Sequence, residues 1–331
     1  MATRGLYLPR YGESRALIIG VNKYRHVGPL AYAVNDARAV AETLVNQFDF
    51  PQTNVEVLID ESADRVTIVR TFLRYADTAK TDDRIVVFFA GHGHTISGRR
   101  GEIGYLVPVD GNSGDLSTLI RWDELTRNAD LIPAKHMLFL MDAWYGGLAL
   151  TRTTIPSGSS RLLKDMLQRY ARQVLTAGKG DEVVADSGGT RPGHSIFTSH
   201  LLDGLEGAAA PAGKILTGHR LMAYVYDKVG NDPHSRQTPH FGFFDGDGDF
   251  IFDTSALAGL QLPSSSEPEP DVDILITAPA IASPTPQDDT LADVLKRLIA
   301  NPADNIRLND VVSALLRQAA DRLSPENFPV S

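Results

Sequence analysis

Two stretches of the 331-residue chain set chemically capable side chains beside glycine. They are Phe89-Ala90-Gly91-His92-Gly93-His94 and Met141-Asp142-Ala143-Trp144-Tyr145-Gly146-Gly147. Each leaves an apolar, strand-like run and turns at once into glycine, which allows tight turns and close approach of backbone to a ligand. His92 is thereby presented at a strand end among low-bulk neighbours, a natural place for a general base, although a lone histidine more often serves structure. The chain has no cysteine, which excludes disulfides, thiolate metal sites and a thiol nucleophile. Substitutes are poor. The Tyr145 phenol, with an ordinary pKa of about 10, needs strong activation to attack an amide. Ser195 lies in Gly193-His194-Ser195-Ile196-Phe197, without the second glycine of a serine-hydrolase elbow, and reads as a helix cap.

Other motifs carry less. Asp245-Gly-Asp-Gly-Asp249 invites calcium, but it lacks the glycine and glutamate of an EF-hand loop and reads as a solvated turn. His92 and His94 have no partner at zinc spacing. No phosphate-cradling Gly-x-x-x-x-Gly-Lys or Gly-x-Gly-x-x-Gly loop follows a strand, so no cofactor is expected.

The elements that would position these residues alternate between strand and helix, as in a doubly wound α/β sheet. Strands are expected at Ala16–Val21, Val55–Ile59, Ile85–Ala90 and Met137–Met141, with weaker ones at Val183–Ala185 and Phe241–Phe244. The 84–90 segment is apolar without alternation, so both its faces should be covered and the strand central. Helices are expected at Asp36–Phe48, Arg65–Ala79, Ser160–Leu175, Ile196–Leu205 and His219–Val229. In the first, Ala37, Val40, Ala41 and Leu44 make a core-facing stripe, and Asn35 or Asp36 stands where a cap belongs.

Lys and Arg number 32 against 41 Asp and Glu, a formal charge of −9, which argues against broad nucleic-acid binding. Six acidic residues and six of the 19 prolines fall within 263–290, which has no Lys or Arg. Such a stretch buries too little apolar surface to offset its ordering entropy, so 254–289 reads as a flexible linker, although Ile274-Leu275-Ile276 is suited to a sheet edge. Two amphipathic stripes within 290–325 predict a short helical hairpin that must dock, either on its own domain or on a partner or second copy. No stretch has the length of a membrane span and the N-terminus lacks a secretory core, so a cytoplasmic protein is expected.

Six pieces in order carry a family resemblance: Arg15-Ala-Leu-Ile-Ile-Gly-Val-Asn-Lys-Tyr24, Leu30-Ala-Tyr-Ala-Val-Asn-Asp-Ala37, Val87-Phe-Phe-Ala-Gly-His-Gly93, Phe139-Leu-Met-Asp-Ala-Trp-Tyr-Gly-Gly147, Gly193-His-Ser-Ile-Phe-Thr198 and Gln237-Thr-Pro-His-Phe-Gly242. Over 14–253 the chain resembles the bacterial caspase-like and metacaspase peptidases. The resemblance implies a caspase-like α/β fold, a mainly parallel sheet sandwiched by helices, and a His–Cys dyad. His92 matches the base, Gly93 lies by the oxyanion donors, and Asp142 precedes the nucleophile by two residues. The nucleophile position falls on Trp144, whose indole offers only an N–H donor. Without a thiolate no acyl-enzyme forms, so peptide turnover by the family route is not expected. In the metacaspase-like branch, aspartates matching Asp36 and Asp142 line the pocket for a basic side chain, which two carboxylates would grip bidentately. The competing readings are an N-cap for Asp36 and a turn residue for Asp142. The Trp144 ring either fills that pocket or walls it as a stacking surface for arginine.

Overall fold

The computed structural model describes residues 11–99, 101–145, 168–179, 188–209 and 215–252, with Trp144, Tyr145 and Lys179 entering by backbone position. The expected linker 254–289, the segment 290–325 and the strand Val183–Ala185 lie outside the described residues. In chain order the elements are β1 (Ser14–Gly20), α1 (Ala33–Gln47), β2 (Val55–Ile59), α2 (Arg65–Thr78), β3 (Arg84–Ala90), β4 (Gly93–Gly98), β5 (Gly101–Leu106), β6 (Ile120–Arg121), α3 (Trp122–Ala129), β7 (His136–Tyr145), β8 (Ala171–Lys179), α4 (Ile196–Asp203), α5 (Gly218–Asn231) and β9 (His240–Gly246).

Six strands form one sheet in the order β2-β1-β3-β7-β8-β9, parallel throughout except for the antiparallel β8–β9 pair. β4, β5 and β6 make a separate antiparallel sheet that leaves the end of β3. Alternation along the central strands divides the core in two. Ile18, Val86, Phe88, Leu138 and Leu140 pack with Val40 and Leu44 of α1, Phe197 and Leu201 of α4 and Val225 of α5. On the other face, Ile19, Val87, Phe89, Phe139 and Met141 meet Ile68 and Phe72 of α2 and Leu125 of α3. β3 is buried at every position, as its unbroken apolar run requires. Among the described residues no helix is long and apolar enough to cross a membrane.

The structure departs from the sequence expectations at three places. The first helix begins at Ala33, and neither Asn35 nor Asp36 caps it; the cap comes from a distance, where Val34 N–H donates to Asn22 Oδ1 at 3.0 Å. The expected helix Ser160–Leu175 is overturned at its end, because 171–175 opens β8. Arg172 and Gln173 disguised that strand by breaking its apolar run, yet both are fully buried. Arg172 donates to the carbonyls of Ile132 and Ala134, and Gln173 donates to Asp249 Oδ1. Third, α3 and the β4–β6 sheet were not foreseen: their strands are short, glycine-bearing and half-exposed, which reads locally as loop.

Candidate functional site

The carboxyl ends of β1, β3 and β7 lie level, with Gly20 opposite Ala90 and Ala90 opposite Asp142. The alignment continues past the strand ends, where Gly91 N–H donates to the Asp142 carbonyl at 3.3 Å. His92 lies two residues beyond Ala90, and Trp144 two beyond Asp142, the last paired positions of β3 and β7. The β7–β8 pairing slips between Met141 and Trp144 and resumes with Trp144 opposite Gly178. This irregularity falls at the topological end of the sheet where ligands of open α/β folds bind.

His92 is held at both ends. Its ring Nε2 lies 2.8 Å from the Gly28 carbonyl oxygen. A carbonyl can only accept, so Nε2 carries a proton, and in the neutral ring the lone pair is on Nδ1. The His92 backbone N–H donates to Tyr24 Oη at 2.8 Å, and the two rings lie 4.9 Å apart. Gly91 is required there, since a Cβ would meet Tyr24 Oη at 2.6 Å. Val107 N–H closes the turn by donating to the His92 carbonyl. Gly93 is buried and opens β4 opposite Leu106.

Asp36 and Asp142 converge on one downstream segment. Asp36 sits in the first turn of α1, not at a strand end, and is 1% exposed; Asp142 is on β7 and 4% exposed. Asp36 Oδ1 is 2.6 Å from His194 Nδ1, and its Oδ2 accepts from Ser195 N–H. Asp142 Oδ2 accepts from Ser195 Oγ and from Thr198 Oγ1 at 2.6 Å. Ser195 also caps α4, its Oγ accepting from Thr198 N–H at 2.8 Å. Partial burial, then the charge of Arg191, push the His194 imidazole below its ordinary pKa. Arg191 anchors this strap, with a two-pronged grip on Glu206 and a 2.9 Å bond to Asp203. Gly193 turns the strap at a φ of +82°, a conformation favouring glycine.

Tyr24, Gly28, His194 and Thr198 are therefore parts of the site that residue type alone did not single out. The available signal was position: each lies within a strand-exit or helix-entry segment that carries the family resemblance, or in the loop between two of them. The Asp245–Asp249 carboxylates do not converge. Asp245 bonds its neighbouring Gly246 N–H, Asp247 pairs with Arg169, and Asp249 turns inward to Gln173 and His219 N–H, its pKa raised by burial. Among the described residues no group of three or more His, Cys, Asp or Glu is gathered to hold a metal ion.

The level strand ends, the helix-covered parallel sheet and the strand-end histidine define a caspase-type α/β domain. The model of the caspase domain family matches residues 13–243, and the chain belongs to that family. It is 30% identical over 130 residues to Metacaspase-6 and 30% identical over 145 residues to Metacaspase-4, both of Arabidopsis thaliana. Those matches cover 36% and 40% of this chain but 34% and 33% of the relatives, so the chain matches about a third of their length. Among solved structures, a protein from Geobacter sulfurreducens aligns with a TM-score of 0.50 at 17% identity, over 71% of this chain and 94% of its own. The Drosophila initiator caspase Dronc aligns with a TM-score of 0.50 at 10% identity, over 75% of this chain and 86% of its own, a likeness of fold alone.

Proposed function

We propose that this domain, of cysteine-peptidase ancestry, does not cleave peptide bonds by an acyl-enzyme route and acts by binding a segment that presents Arg or Lys. The observation that carries the reading is the occupant of position 144. It lies two residues past Asp142, it is tryptophan, and the chain has no cysteine to take its place. An indole has no nucleophilic lone pair to form the acyl intermediate, whatever the state of the base. Recognition is a separate matter. Asp36 and Asp142 are buried and bonded to His194, Ser195 and Thr198, so they contribute as negative charge behind that segment, which favours a guanidinium over neutral side chains. The segment 290–325 is proposed to recruit a protein partner or a second copy, and the cytoplasm is the proposed setting.

The test pairs turnover with binding. Amide substrates with Arg or Lys before the scissile bond are expected to stay intact, while Arg peptides bind by calorimetry and lose affinity in Asp36→Asn and Asp142→Asn. Amide hydrolysis that disappears in His92→Ala would overturn the proposal. A second reading, an Arg/Lys endopeptidase in which Trp144 is a lineage-specific replacement, is favoured by the retained orientation of His92. Under that reading Trp144→Cys recovers cleavage that depends on His92; a folded but inert Trp144→Cys counts against it.

A further inference from the structure

The His92 turn is built more carefully than an idle histidine needs. Its ring nitrogen Nε2 is committed to the Gly28 carbonyl, its backbone N–H to Tyr24, and its carbonyl to Val107 N–H. These contacts fix the ring plane and the tautomer together, leaving Nδ1 as the basic atom of a half-exposed imidazole. Among the described residues no hydrogen bond occupies Nδ1. Other histidines are differently used. His136 is fully buried with both nitrogens engaged, and His194 and His200 each turn a nitrogen to a carboxylate.

We propose that His92 acts as a general base toward water, giving the domain hydrolytic activity on activated esters that needs no protein nucleophile. A water oxygen attacks the ester carbonyl carbon while its proton passes to Nδ1. The tetrahedral intermediate then collapses, the bond to the leaving oxygen breaks, and the leaving alkoxide or phenoxide is neutral once it regains that proton. Acid and alcohol are the products, and the imidazole returns to its starting state. Amides are excluded by the same logic. Their nitrogen must be protonated before it leaves, and no covalent intermediate divides that barrier into smaller steps. Tyr24 enters as a positioning residue, since its hydroxyl and ring hold the turn from which the base projects.

The inference rests on the same His92 turn as the proposed function but not on the acidic pocket or on any partner. The full-length chain is assayed with 4-nitrophenyl acetate and, in parallel, with the 4-nitroanilide of the same acid. A positioned general base contributes on the order of 10²–10⁴-fold, so ester hydrolysis is expected to fall by at least about tenfold in His92→Ala. His92→Gln keeps an N–H donor for the Gly28 carbonyl without a basic nitrogen, and it should be equally slow and folded by circular dichroism. Tyr24→Phe should lower the rate severalfold and displace the His92 ring resonances in NMR spectra. His234→Ala, in an exposed loop, should leave it unchanged. The rate should rise with pH to a plateau and be slower in D2O. A His92→Gln rate within about twofold of the parent overturns the proposal, as does a trapped acyl group on His92, which would make the imidazole a nucleophile. Hydrolysis of the anilide would instead overturn the loss of amide cleavage, so the two readings fail separately.

Discussion

At the scale of single residues, Asp142 and Ser195 show how a buried carboxylate is kept content. One oxygen of Asp142 receives two hydroxyl protons, from Ser195 and Thr198, while Ser195 also caps α4. Thr198→Val preserves shape and deletes one donor, a loss of about 1–2 kcal/mol in unfolding free energy. Ser195→Ala removes a donor and a cap together and should cost more, about 2–3 kcal/mol. Urea unfolding of the two variants checks the order, and a larger loss in Thr198→Val would contradict it. His92 and Asp142 could be picked out from sequence because glycine-rich strand exits are a local signal. His194 and Tyr24 could not. Asp36 and His194 are 158 residues apart, and no local pattern announces that they touch.

At the scale of elements, strands here are anchored by buried arginines. Arg84 opens β3 and donates to the carbonyls of Phe48, Ile251 and Phe252 and to Ser14 Oγ, with its guanidinium 4.6 Å from the Phe50 ring centre and 4.7 Å from that of Tyr11. It thus ties the end of α1, the start of β1 and the chain beyond β9 to the central strand. Arg84→Met keeps bulk but strands three carbonyls, each worth about 1–3 kcal/mol when buried without a partner. The variant should lose about 3 kcal/mol or more, read as a clear fall in melting temperature; an unchanged melting temperature would show that the carbonyls find other donors. β8 uses the same device through Arg172, whose pKa burial lowers to about 10. That device is also why β8 escaped the sequence reading. Hydrophobic periodicity treats arginine and glutamine as surface residues, whereas here both serve as interior hydrogen-bond donors. The central strands β1, β3 and β7 were legible because nothing polar interrupts 16–20, 85–90 and 137–141, and α2 was legible because its apolar stripe is regular and Asp64 caps it.

At the scale of the whole molecule, acid should loosen the fold through histidine. His136 is buried at the start of β7, with Nε2–H donating to the Arg169 carbonyl and Nδ1 accepting from Tyr11, which in turn accepts from Ile251 N–H. Burial pushes its pKa down to about 3 from the ordinary 6.5. The unfolded chain therefore takes up a proton that the folded one refuses. The associated stability is fully present above about pH 6.5 and falls by up to about 1.4 kcal/mol per pH unit below it, toward pH 3. His219, lowered by burial, acts in the same sense. Unfolding measured from pH 7 to pH 4 should show this decline, and His136→Gln should flatten it; a parallel decline in the variant would assign it elsewhere.

The strap that joins the two carboxylates also dates them. At roughly 5–20 residues per second, a ribosome delivers His194 about 8–30 s after Asp36. During that interval neither acid has its native histidine or hydroxyl companions, and the central strands can pair before those bonds exist. A nascent chain can thus pair its central strands well before the segment that holds Asp36 and Asp142 has been made.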